Sequence, residues 1–126
     1  MAELMGTMHR TVMCGEVDKR LTGEKVTLMG WVHSRRDLGA LVFITLRDRT
    51  GIVQCVFDES DFKGDYRKVE SIRGEYVLAL TGTVALREER NINPNMKTGE
   101  IEVKAEDVKI LSEAETPPFY IQDGIN

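Results

Sequence analysis

Leu41-Val42-Phe43-Ile44-Thr45-Leu46-Arg47, then Asp48-Arg49-Thr50-Gly51, then Ile52-Val53-Gln54-Cys55-Val56-Phe57 is the stretch from which the rest of the chain can be read. Side chains along a strand point alternately to opposite faces. Val42, Ile44 and Leu46 therefore make one apolar face, and Phe43, Thr45 and Arg47 make the other. Asp48-Arg49-Thr50-Gly51 carries the residue types of a tight hairpin, and the Val- and Ile-rich run 52–57 is the returning strand. Any loop of two or four residues puts Gln54 on the face of Phe43. A loop made of Asp48-Arg49 alone would set the two directly opposite, and a slip of one residue would separate them.

Upstream, residues 25–36 alternate, with Val26, Leu28, Gly30 and Val32 on one parity and Thr27, Met29, Trp31 and His33 on the other. Arg35-Arg36-Asp37-Leu38-Gly39-Ala40 breaks the alternation and reads as a turn into the second strand. Downstream the period changes. Phe62, Tyr66, Val69 and Ile72 recur at helical spacing over 61–73, with Ser60 or Asp61 to cap the start and Gly74 to end it. Residues 76–87 return to strand character, with Gly82 as a bend or bulge. Arg90-Asn91-Ile92-Asn93-Pro94-Asn95 is a loop. Residues 100–111 form the last strand, with Ile101 and Val103 inward and Glu100 and Glu102 outward.

The order β-β-β-α-β-β predicts an all-β fold, a five-stranded OB-fold Greek-key barrel with one α-helix between strands 3 and 4. Gly30 and Gly82 suit the coiling that a small closed barrel needs. Residues 1–112 make the barrel domain, and 113–126, with Pro117-Pro118, read as a linker.

The bulk numbers agree with one soluble domain of 126 residues. No apolar run reaches the length of a membrane span, and the first residues lack a secretory pattern, so a cytoplasmic location is expected. Cys14 and Cys55 read as free buried thiols in a reducing compartment. The net charge is −4, which excludes a generic basic nucleic-acid coat. Yet residues 25–57 hold Lys25, Arg35, Arg36, Arg47 and Arg49 against Asp37 and Asp48, a local balance of +3. That suits a site meeting phosphate at one place.

OB barrels bind oligonucleotides on the face of strands 2 and 3 and the adjacent loops. An outward Phe43 beside Gln54 is a base reader: the ring stacks on an unpaired base, worth roughly 1–3 kcal/mol, and the amide offers a donor and an acceptor to the base edge. The plainer alternative has Phe43 packed under a loop or against another domain. Arg35-Arg36 suits phosphate and base-edge contact, or is a solvated turn. Glu102 can accept from the N1–H and N2–H of a guanine, or is a solvated strand position. His9 and His33 lie near no Cys pair at metal spacing, and neither a phosphate loop nor a nucleophile elbow is present. The chain carries no catalytic constellation and no metal set.

Val26-Thr27-Leu28-Met29-Gly30-Trp31-Val32, Arg35-Arg36-Asp37-Leu38-Gly39, Phe43-Ile44, Gly51-Ile52-Val53-Gln54, Asn91-Ile92-Asn93 and Gly99-Glu100-Ile101-Glu102-Val103 together resemble the N-terminal anticodon-binding domain of bacterial-type aspartyl-tRNA synthetases, a class II family. The likeness runs over nearly the whole chain. It implies that Phe43 stacks on the central anticodon uridine and that Gln54 hydrogen-bonds that base. It implies that Arg36, with Arg35 beside it, contacts the anticodon bases and that Glu102 lies near the first base, a guanine. Arg87, Asn91 and Asn93 add contacts from the loop before the last strand. It further implies a tRNA partner bound through its anticodon loop, a parent catalytic domain outside this chain that uses ATP and magnesium, a homodimeric parent and a monomeric isolated domain. The parent attaches aspartate to tRNA; these residues alone do not. Three other readings compete: the equivalent domain of an asparaginyl or lysyl synthetase, a sequence-neutral single-strand-binding OB module, and a protein-docking OB module.

Overall fold

The computed structural model describes residues 10–113. It contains five strands, β1 (Lys25–Asp37), β2 (Leu41–Asp48), β3 (Gly51–Asp58), β4 (Val77–Leu86) and β5 (Ile101–Ser112), and one helix, α1 (Tyr66–Ser71). The strands close into a barrel in the order β1-β2-β3-β5-β4. All pairings are antiparallel except β3 with β5. The expected all-β barrel with its helix between the third and fourth strands is the observed fold.

The alternation in the sequence builds the core. Leu28, Val42, Ile44, Leu46, Val53, Phe57, Leu80 and Val103 are all buried in one cluster. Each such side chain removed from water stabilises the fold by about 1.5–3 kcal/mol. Met29, on the opposite parity of β1, is also buried, against Ala79 and Leu111. Two glycines allow the closure. At Gly30, where β1 crosses β2, a Cβ would collide with the carbonyl of Arg47. At Gly82 it would collide with the carbonyl of Lys104, and the β4–β5 register shifts between Thr81 and Gly82. The extra residue is Glu106 of β5, skipped between Ala105 and Asp107, so the irregularity expected at Gly82 is a bulge of the partner strand opposite it.

The β2–β3 turn is anchored from below. Asp48 is buried, and its carboxylate accepts from Cys14 N (2.8 Å), Thr50 N (2.8 Å) and Thr50 Oγ1 (2.6 Å). Thr50 Oγ1 in turn accepts from Gly15 N at 2.8 Å. The short 3₁₀ turn Cys14–Glu16 is thereby pinned across the barrel's end. Cys14 and Cys55 are free and buried, and burial pushes both thiols well above their ordinary range.

Two local expectations, the turn and the helix with its caps, need correction. The turn placed at 35–40 shrinks to 38–40, because β1 stays paired with β2 through Asp37↔Val42 after a bulge between Val32 and Ser34. The helix placed over 61–73 spans only Tyr66–Ser71. Its cap is Asp65, which accepts from Arg67 N at 2.9 Å. Ser60 instead bonds back to Asp58 in a local turn, at 3.0 Å from its amide and 2.7 Å from its hydroxyl. Phe62, outside the helix, still packs on Phe57 and Tyr66. The helix stops at Ile72 in extended conformation, before Gly74. The 113–126 linker expectation falls, beyond Glu113, outside the described residues.

Candidate nucleic-acid interface

The outward face of β2 and β3 holds Phe43 and Gln54, two of the residues that the sequence singled out. In the observed register Phe43 faces Val56, Thr45 faces Gln54 and Asp48 faces Gly51. The hairpin loop is therefore Arg49-Thr50. Phe43 and Gln54 share one face as diagonal neighbours, roughly 7–8 Å apart at this spacing in a sheet; the directly opposed arrangement does not occur. Phe43 is half-buried, while Val42 and Ile44 on either side are fully buried.

The neighbouring strands extend this face. On β1, Arg36 sits directly across from Phe43 and is exposed. On β5, Val103 pairs with Cys55 and Lys104 with Val56, which puts Glu102 beside Gln54. Gln54 Nε2 donates to Glu102 Oε1 at 3.4 Å. The result is an open groove of about 420 Å³ between Phe43, Val56, Glu102, Lys104, Leu86 and Asn91. Asp58, Asp61 and Glu88 also reach it. Carboxylates accept hydrogen bonds and repel phosphate, and Lys104 adds one ammonium group to the same lining. Further along the same face Trp31 lies across from Arg47, whose guanidinium stands 6.0 Å from the ring.

Other candidates are placed differently. Arg35 pairs with Ile44, so it projects to the opposite side of β1 from Arg36. It bonds Asp37 at 3.1 Å and the carbonyl of Glu70 at 3.4 Å, which ties β1 to α1. Arg87 is buried, and its guanidinium donates inward to the carbonyls of Ile101 (2.8 Å) and Asn91 (3.2 Å). Burial holds its pKa below the usual guanidinium range, with Glu102 opposing that shift. Arg87 thus knots the loop that presents Asn91 to the groove. Asn93 shapes the same loop: its Oδ1 accepts from Asn95 N at 3.0 Å, and its amide donates to Gly99 O at 3.1 Å.

Most of the groove's lining escaped the sequence reading, Lys104 and Leu86 among it. Lys104 shares the parity of Glu102, so alternation alone would have found it. Leu86 lies on the inward parity of β4 yet is 57% exposed; β4 is still paired with β5 there, but its pairing with β1 ends at Thr83. No sequence signal marks that end. Among the described residues there is no group of three or more His, Cys, Asp or Glu that could hold a metal, and no helix long and apolar enough to cross a membrane.

A family model described as an OB-fold nucleic acid binding domain matches residues 26–111. The chain belongs to that family. Among relatives of this OB domain, an aspartate–tRNA(Asp/Asn) ligase of Caldanaerobacter subterraneus subsp. tengcongensis is 56% identical over 126 residues, covering 100% of this chain and 21% of the relative. An aspartate–tRNA ligase of Bacillus licheniformis is 58% identical over 114 residues, covering 90% of this chain and 19% of the relative. The OB domain thus spans about a fifth of the length of these curated relatives. Among solved structures, asparaginyl-tRNA synthetase from Pyrococcus horikoshii superposes with a TM-score of 0.68 at 29% identity, covering 88% of this chain and 25% of that one.

Proposed function

We propose that this domain reads the anticodon of the tRNA for aspartate, as the N-terminal module of an aspartate–tRNA ligase. The observation that carries the reading is the composition of one face: Phe43 with Arg36 directly across one strand boundary, and Gln54 and Glu102 across two others. An aromatic platform holds an unpaired base by its flat side, and the polar groups around it address the edge. The acidic groove keeps phosphate out, and Arg36 offers the cation that the sugar–phosphate chain needs beside it. Identities of 56% and 58% to two aspartate ligases, over 100% and 90% of this chain, support the aspartate assignment.

In this reading residues 113–126 lead toward a catalytic domain that attaches aspartate to tRNA with ATP and magnesium. Among the described residues no group of three or more His, Cys, Asp or Glu could hold the magnesium. The parent would be a cytoplasmic homodimer, and this domain by itself a monomer. Arg36, Phe43, Gln54 and Glu102 carry base recognition, and Asn91 adds an edge contact. Arg87 and Asn93 act by shaping the loop that holds Asn91, and Arg35 by anchoring the strand that holds Arg36.

The test is titration of the chain, at low and fixed salt, with anticodon stem-loops bearing GUC, GUU and an unrelated triplet. Preference for GUC, or for GUC and GUU together, lost in Phe43→Ala, is the expected result. Which of those two patterns appears tells whether the third base is read. Equal binding of all three triplets would overturn the anticodon reading in favour of a sequence-neutral module.

A further inference from the structure

Gln54 carries an amide with a donating end and an accepting end of nearly equal shape, so by itself it does not distinguish bases. Its surroundings do. Because β3 and β5 run parallel, Glu102 lies alongside it, and the amide nitrogen donates to Glu102 Oε1 at 3.4 Å. An ionised carboxylate has only acceptor atoms. The nitrogen end must therefore face β5, which turns the carbonyl end toward β2, where Thr45 is opposite and Phe43 diagonal. Glu102 also faces the charge of the Arg87 guanidinium, which favours its acceptor role. It lies half-exposed on the outer parity of β5, between the buried Ile101 and Val103.

We propose that Glu102 is a positioning residue for base selection: it holds the Gln54 amide with its carbonyl toward a base on Phe43, so that the site favours uracil over cytosine. Uracil presents a ring N–H at the centre of its pairing edge, which the carbonyl accepts. Cytosine presents an acceptor nitrogen there, and two acceptors would face each other. This rests on the anticodon reading and adds a mechanism for its central base. Without Glu102 the amide rotates by half a turn at little cost and offers its nitrogen to cytosine as readily as its carbonyl to uracil.

The experiment measures binding of the 126-residue chain to two stem-loops that differ only at the central base, GUC and GCC. The first base is the same in both, so any contact that Glu102 makes to it cancels in the ratio. The wild type favours the uracil loop, and Glu102→Gln lowers that preference by about tenfold, the weight of one well-formed hydrogen bond. Glu102→Asp, whose shorter carboxylate falls away from Gln54, lowers it as well and serves if the first variant folds poorly. Gln54→Ala abolishes the preference, and adding Glu102→Gln to it changes nothing further. An unchanged ratio in both Glu102 variants overturns the proposal, as does a further change in the double variant, which would mean that Glu102 meets the base itself. If the wild type binds both loops equally or not at all, the anticodon reading itself fails and this inference falls with it.

Discussion

At the turn of the β2–β3 hairpin, Asp48 is buried and accepts three hydrogen bonds of 2.6–2.8 Å, from the Cys14 amide and from the amide and hydroxyl of Thr50. A few residues along the same hairpin, half-buried Phe43 lines an open groove, and half-buried Gln54 reaches the groove residue Glu102 through a side-chain bond 3.4 Å long. Both regions are built from polar groups on the same two strands. The first is closed, short-bonded and complete. The second keeps acceptor and donor capacity for something outside the chain. A buried polar group without a partner costs about 1–3 kcal/mol, so incompleteness is tolerated only where water or a ligand can reach. Under the proposed anticodon reading, that difference assigns the turn to the scaffold and the open face to RNA.

Four changes would break or sharpen this contrast. The largest effect on stability belongs to Asp48→Ala. It strands the amides of Cys14 and Thr50 and should lower unfolding free energy by about 3 kcal/mol in urea titrations. A loss below about 1 kcal/mol would mean that the turn end is no anchor. Arg87→Ala should cost about 2 kcal/mol, because its guanidinium joins the Ile101 and Asn91 carbonyls. It should weaken RNA binding too, since Asn91 loses its support; unchanged binding by the folded variant would detach that loop from the groove. Phe43→Ala should change stability by less than about 1 kcal/mol while removing stacking worth roughly 1–3 kcal/mol of binding. If it unfolds the domain, Phe43 belongs to the core and the contrast collapses.

The smallest effect concerns acid. The Thr83 hydroxyl, then the Lys25 and Lys63 ammonium groups, hold the Glu106 carboxyl down to about 2. A carboxylate depressed by folding stabilises the native state above its unfolded pKa, near the ordinary value of 4.5, and loses that contribution as pH falls toward about 2. Glu106→Gln should flatten the fall of unfolding free energy in that window and leave binding near neutral pH unchanged. A change in binding at neutral pH would extend the functional face past Lys104 to this corner.

The sequence by itself determined the strand order, the buried parity of Val42, Ile44 and Leu46, the irregularity beside Gly82, and the shared face of Phe43 and Gln54. These depend on local physics: the two-residue period of a pleated strand, the freedom of glycine, and the even loop length that keeps parity across a hairpin. The tertiary structure decided the rest. The loop is Arg49-Thr50 rather than Asp48-Arg49 because Asp48 is held from below by Cys14, a residue 34 positions away. Arg35 and Arg36 part company because β1 stays paired through Asp37, and adjacent residues on a strand point opposite ways. Glu102 meets Gln54 only because the closed barrel lays β5 parallel to β3, a pairing between segments 48 residues apart. Alternation tells which face a side chain takes, but only closure of the barrel tells which other side chain it finds there.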